Sequence, residues 1–303
     1  MSNILRLNSA EAARFPTLSA LTDFDAVAEP IYMVNHTEQR AQKIDQSIGR
    51  VIRRTDTWDA LGIVGDRYGI APNKPIYDMV CEAAEDTLTP ANMRGVELKE
   101  FSSFGGQYTR FELVFPMLAQ SIPQFKGSTE INFRVGVSNS FNGGGSVRVF
   151  AGAYDLVCTN GMIIGEVEKK AARHTSGYTP EKFADFIRLE MTNYQERAKI
   201  FRLYAQSQIT PEQAKTSLER AGMSERRIGA MLTQFEVESA SRGRTIWALY
   251  SALTFYSSHN SERFGVRNSA NVDNTAVTLD NREREVSKIL RSESWRDLVA
   301  TAA

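Results

Sequence analysis

Tyr108-Thr-Arg-Phe-Glu-Leu-Val-Phe115 and Ile131-Asn-Phe-Arg-Val-Gly-Val-Ser138 are the two stretches whose reading decides the fold. Side chains along an extended strand alternate between its faces. Thr109, Phe111, Leu113 and Phe115 therefore share one side, and Arg110 and Glu112 take the other. In the second stretch Ile131, Phe133, Val135 and Val137 oppose Asn132, Arg134 and Ser138. The next run repeats the pattern, with Val147 and Val149 against Ser146 and Arg148. Gly105-Gly106 separates the runs Gly95 to Phe101 and Tyr108 to Phe115, and Asn142-Gly-Gly-Gly145 separates Ile131 to Ser138 from Ser146 to Val157. Both are hairpin signals. Residues from about 95 to 168 thus predict an antiparallel sheet with one buried and one wetter face.

On the N-terminal side, Ile76, Met79, Val80 and Ala83 fall on one face of a helix over Asn73 to Leu88, and Pro75 suits its first turn. Asp59 to Tyr68 reads as a short strand entering a turn. Its glycines, Gly62, Gly65 and Gly69, lack the spacing of a dinucleotide-binding loop. Residues 26–55 carry irregular apolar positions, with Ile48, Val51 and Ile52 at helical spacing, and receive no firm assignment. Residues 1–25 read as an N-terminal arm.

The C-terminal side is helical. Thr179-Pro-Glu opens a helix whose apolar stripe runs through Phe183, Phe186, Ile187, Met191, Tyr194, Ala198, Phe201 and Tyr204. Thr210-Pro-Glu-Gln213 is a capping box for a short helix to about Arg220, which Gly222 ends. Ser224 caps a helix carrying Ile228, Met231, Leu232 and Phe235. Arg244 to Ser258 is strongly apolar, with Trp247, Leu249, Tyr250, Leu253, Phe255 and Tyr256. A polar loop over 260–278 precedes a last helix over about Asp280 to Leu298. The expected fold is α+β: an arm (1–25), then one domain (26–298) that is sheet-rich over 50–168 and helical over 179–298.

The 303 residues carry 36 Lys+Arg and 36 Asp+Glu, so attraction to a polyanion must come from a local patch. No signal peptide and no run of 18 apolar residues is visible, which predicts a cytoplasmic protein without membrane contact. Cys81 and Cys158 lie outside any CxxC or Cys/His cluster and read as buried thiols. His36, His174 and His259 are too dispersed for a zinc set. Cys158 with His174 or His259, and the pair Glu166/Glu168, are the remaining routes to a hydrolase, and neither converges with further groups. Asn160-Gly161 reads as a tight turn. No catalytic residue, cofactor or metal is assigned.

Four segments resemble a known family. They are Val51-Ile-Arg-Arg-Thr-Asp with Leu61-Gly-Ile-Val-Gly-Asp-Arg-Tyr68; Val157-Cys-Thr-Asn-Gly-Met162; Arg173-His-Thr175; and Thr245-Ile-Trp-Ala-Leu-Tyr-Ser-Ala-Leu-Thr254 followed by His259. Together, in order over about residues 50 to 295, they are similar to the phage- and plasmid-borne "domain of unknown function 932" family. Leu156 stands where that pattern has arginine, and Ser251 where it has asparagine. The resemblance implies a mobile-element setting and no particular chemistry.

Arg110, Arg134 and Arg148 share the predicted polar sheet face, and Lys169, Lys170 and Arg173 add a basic cluster just beyond it. Tyr108, Phe141, Phe150, Tyr154 and Tyr178 are available to stack bases. The expectation is a non-enzymatic protein binding single-stranded DNA in replication or recombination. The competing reading has the arginines solvating the sheet or pairing with Glu97, Glu112 and Glu130. Further alternatives are an accessory or anti-defence factor that binds host or phage proteins, and a hydrolase. A homo-oligomer is compatible with any of them.

Overall fold

The computed structural model describes residues 15–37, 40–155, 160–163, 170–175, 178–259 and 274–302. The chain is α+β, as its pattern predicts. A first antiparallel sheet has the order β1 (Ala26–Thr37), β2 (Arg40–Arg54), β3 (Ala60–Val64). The main sheet runs β4 (Glu97–Ser103), β5 (Tyr108–Pro123), β6 (Ser128–Ser140), β7 (Val147–Asp155), all antiparallel neighbours. Two short strands, β8 (Asn160–Ile163) and β9 (Lys170–Ala172), share the outer edge of β7. The helices are α1 (Asn73–Thr87), α2 (Ala184–Gln206), α3 (Pro211–Arg220), α4 (Glu225–Arg242), α5 (Ile246–Ser258), α6 (Thr275–Leu290) and α7 (Glu293–Ala302).

The register sets Phe111 opposite Val137, Leu113 opposite Val135 and Phe115 opposite Phe133, so the apolar side of the sheet is continuous. α1 and α2 cover it. The ring of Tyr77 meets Phe111 at 5.6 Å, and that of Tyr194 meets Phe133 at 5.1 Å. The Tyr194 hydroxyl donates to the Ile131 carbonyl at 2.8 Å. Each fully buried large apolar side chain on this face is worth about 1.5–3 kcal/mol. Residues 15–25 lie against the same body: Leu18 is buried, the Ser19 amide and Thr22 hydroxyl donate to Glu100, and the Asn73 amide donates to the Thr22 carbonyl.

Three departures from the sequence reading have physical causes. Residues 26–37 and 40–54 form strands, and the helical spacing of Ile48, Val51 and Ile52 is coincidental: Ile52 is fully buried while Ile48 is 60% exposed. β5 continues past Phe115 to Pro123 through an irregularity before Gln120, and Gly127 at φ 83° turns the chain into β6. The last helix is two, because the Ser292 hydroxyl accepts the Trp295 amide and starts a new one. The predicted 260–278 loop lies largely outside the described residues, and Thr275 already begins α6.

Gly136 sits opposite Phe150, and a Cβ there would come within 1.9 Å of the Phe150 ring. That ring is flanked by the guanidinium groups of Arg110 at 4.5 Å and Arg134 at 5.3 Å, so it has nowhere to move. Gly136→Ala is expected to destabilise the protein by about 1–3 kcal/mol through overpacking, read as a lower Tm in thermal unfolding. An unchanged Tm would show that the ring yields freely.

Candidate nucleic-acid interface

Alternation does place Arg110, Arg134 and Arg148 on one side of the main sheet, but that side is not open. α6 covers it. Arg110 and Arg134 are each 2% exposed. Arg110 Nε donates to Glu112 at 2.6 Å, and its Nη1 and Nη2 donate to Glu283 at 3.0 and 2.7 Å. Arg134 donates to Glu112 at 2.8 Å and to Glu283 at 2.6 Å. Arg148 bonds Asp280 at 2.6 Å. Glu112 was a foreseen partner; Glu283 and Asp280 come from α6 and were not. Burial by itself raises the Glu112 carboxyl, and the two adjacent guanidiniums outweigh it and hold the group below its usual range. Arg110 and Arg134 are therefore not available to phosphates, and Arg148, at 17% exposure, is paired with Asp280. The ring borders a cavity of about 440 Å³ walled in part by Phe101 and Leu279.

Of the remaining expected ligands, Lys169 lies outside the described residues, and only the backbone of Lys170, opposite Val149 in β9, is described. Arg173 is exposed. Phe141 and Phe150 are buried and cannot stack a base. Cys158, Glu166 and Glu168 lie outside the described residues. Burial pushes the Cys81 thiol up to about 12, so it is not a nucleophile at neutral pH. Among the described residues no three His, Cys, Asp or Glu side chains gather as a metal site, and no helix is long and apolar enough to cross a membrane.

Arg173 belongs to a different place. The first sheet docks on the β6–β7 turn: Phe24, Ile52, Leu61 and Val64 pack round Phe141. A Cβ on Gly62 would lie 2.5 Å from Asn142 Cα, so β3 needs glycine to approach this closely. The turn itself holds Gly143 at φ 76°, with the Gly144 amide donating to Asn142 Oδ1 at 2.8 Å. Between the two sheets opens a groove of about 1330 Å³. Arg50, Arg67 and Arg173 line it, with Asp66, the bare Gly143–Gly145 turn and the pair Tyr68/His174. The guanidinium groups of Arg50, Arg67 and Arg173 have no carboxylate partner among the described residues, unlike Arg53 and Arg54, which pair with Glu29 and Asp56.

Tyr68 and His174 stack with ring centroids 4.9 Å apart and 15° between planes. A β-bridge joins Tyr68 to Thr175, and the Gly69 amide donates to the His174 carbonyl at 3.2 Å. His174 is 7% exposed, and neither ring nitrogen has a hydrogen-bond partner among the described residues. Burial holds the imidazole down at about 4, against the weaker opposing influence of the nearby Gly69 backbone. Sequence reasoning missed Arg50 and Arg67 because they lie on a strand and a turn whose partners are far away in the chain. The signal that could have found Arg67 is the resemblance itself, since two of its segments, Leu61 to Tyr68 and Arg173 to Thr175, converge here.

The fold and groove define a two-sheet α+β protein with an open cationic cleft at the seam. The chain belongs to the family described as "Domain of unknown function (DUF932)", whose model matches residues 60–289. No curated protein and no solved structure matches the chain.

Two outcomes are expected. Glu283→Ala leaves Arg110 and Arg134 buried with half their partners gone. It should cost about 3–5 kcal/mol in urea denaturation, whereas a loss of a few tenths would show the ring to be dispensable. His174 binds a proton more readily in the unfolded chain, so wild-type stability should fall as pH drops from 6.5 toward 4. This contribution is on the order of 3 kcal/mol and should vanish from the pH profile of His174→Leu.

Proposed function

We propose that the protein binds nucleic acid along the groove between its two sheets, and that it does so as a non-enzymatic factor in the replication or recombination of a phage or plasmid. The observation that carries this reading is the set of guanidiniums without a carboxylate partner among the described residues, Arg50, Arg67 and Arg173, around one open cleft. A chain of zero net charge attracts a polyanion only through such a local cluster. The groove is wide and polar, which suits a sugar–phosphate backbone better than a small apolar ligand. The glycine turn lets a backbone approach without side chains in the way. The mobile-element setting is supported by the family resemblance alone.

A second reading, a protein-binding accessory role, is favoured by the outer face of the first sheet. Ile63 in β3 is 72% exposed, and Val27 in β1 and Trp58 in the β2–β3 turn are 36% and 58% exposed. Pull-down with and without nuclease separates the two.

Polarisation titration with labelled oligonucleotides at low salt tests the groove. Arg67→Glu and Arg173→Glu should each weaken binding by about tenfold or more, and each arginine removed should lower the slope of log K against log salt by about 1. Arg134→Glu is not an informative probe, because that residue is buried. Wild-type protein that binds no oligonucleotide, or binding indifferent to both substitutions, removes the proposal.

A further inference from the structure

Resting on the groove reading, a finer assignment comes from how Tyr68 is held. Its hydroxyl donates to the Ser140 carbonyl at 2.8 Å. One ring face lies on the imidazole of His174, which is itself buried. Its backbone amide donates to the Gly65 carbonyl at 3.0 Å, and the bridge to Thr175 fixes the other side. The ring is thus tied at its tip, its face and its backbone. Part of the ring packs against the small core round Phe141, and the rest forms part of the groove wall. Its chain neighbour Arg67, and Arg173 next to His174, line the same groove.

A rigid aromatic ring between cations is the arrangement that holds unstacked bases while the phosphates are neutralised. In a duplex every base already stacks on its neighbours and pairs across the helix, so such a ring has nothing to receive. We infer that the groove takes single-stranded nucleic acid, with one base laid against Tyr68 and the flanking phosphates on Arg67 and Arg173. His174 is a positioning residue in this assignment: it backs the tyrosine and does not touch the strand. The second half of the groove, Arg50 and the Gly143–Gly145 turn, accommodates the backbone as it leaves the stacked base.

Fluorescence polarisation with three probes of equal length tests this: labelled oligothymidylate, an abasic deoxyribose-phosphate strand, and a blunt duplex. Wild-type protein should bind oligothymidylate about tenfold or more tighter than the abasic strand, the range expected for one stacked base. Tyr68→Leu should erase that preference, and Tyr68→Phe should keep it. Equal affinity of wild-type protein for base-bearing and abasic strands, or a preference for the duplex, overturns the stacking assignment and leaves the cationic groove standing. Absence of binding to all three probes overturns both. The abasic comparison uses the wild-type chain, so the inference stays falsifiable even if Tyr68→Leu does not fold.

Discussion

The ring Arg110–Glu112–Arg134–Glu283 is the constraint on which the rest of the architecture depends. An isolated charge buried in a protein is expensive, and it persists only when partners of opposite sign complete its hydrogen bonds. The main sheet supplies two arginines and one glutamate on its polar face; α6 supplies the second glutamate. With Glu283 in place the face can be covered, and α6 lies across it with Asp280 on Arg148 and the Phe150 ring beneath the guanidiniums. The sheet becomes an interior layer, apolar on the side of α1 and α2 and ionic on the side of α6.

That closure moves the chemistry elsewhere. Once the central arginines are neutralised, Arg50, Arg67 and Arg173 remain as a cationic cluster at the seam where the small sheet meets the β6–β7 turn. The seam exists because glycines permit it: Gly62 lies against Asn142, and Gly143 takes a positive φ beside Val64. The stacked Tyr68 and His174 then tie the turn after β3 to the strand β9, which belongs to the main sheet. Their packing leaves His174 as a buried, neutral imidazole whose protonation works against the folded state.

Much of the scaffold was legible. The period of two placed Phe111, Leu113, Phe115, Ile131, Phe133, Val135 and Val137 on the apolar side of the sheet, and Gly105-Gly106 and Asn142–Gly145 marked real turns. Thr210 and Gln213 form the capping box that their spacing announces. The candidate site was legible only in part. Arg173 was named for a basic cluster and does stand in the open groove, whereas Arg110 and Arg134 were read as surface from the same alternation that is correct about their direction. Alternation reports which side of a strand a residue faces. It does not report what lies on that side. The strands over 26–37 and 40–54 were missed because register shifts on either side of Tyr32 break the pattern.

By itself, then, the order of residues determined local geometry and side-chain direction: strand, turn, cap and apolar stripe, all set by neighbours within a few positions. Only the tertiary structure decided which charges survive at the surface. Glu283 meets Arg110 across 173 positions of chain, and Arg50 joins Arg173 across one groove. Electrostatic energy depends on distance in space and on local burial, and neither follows from spacing along the chain.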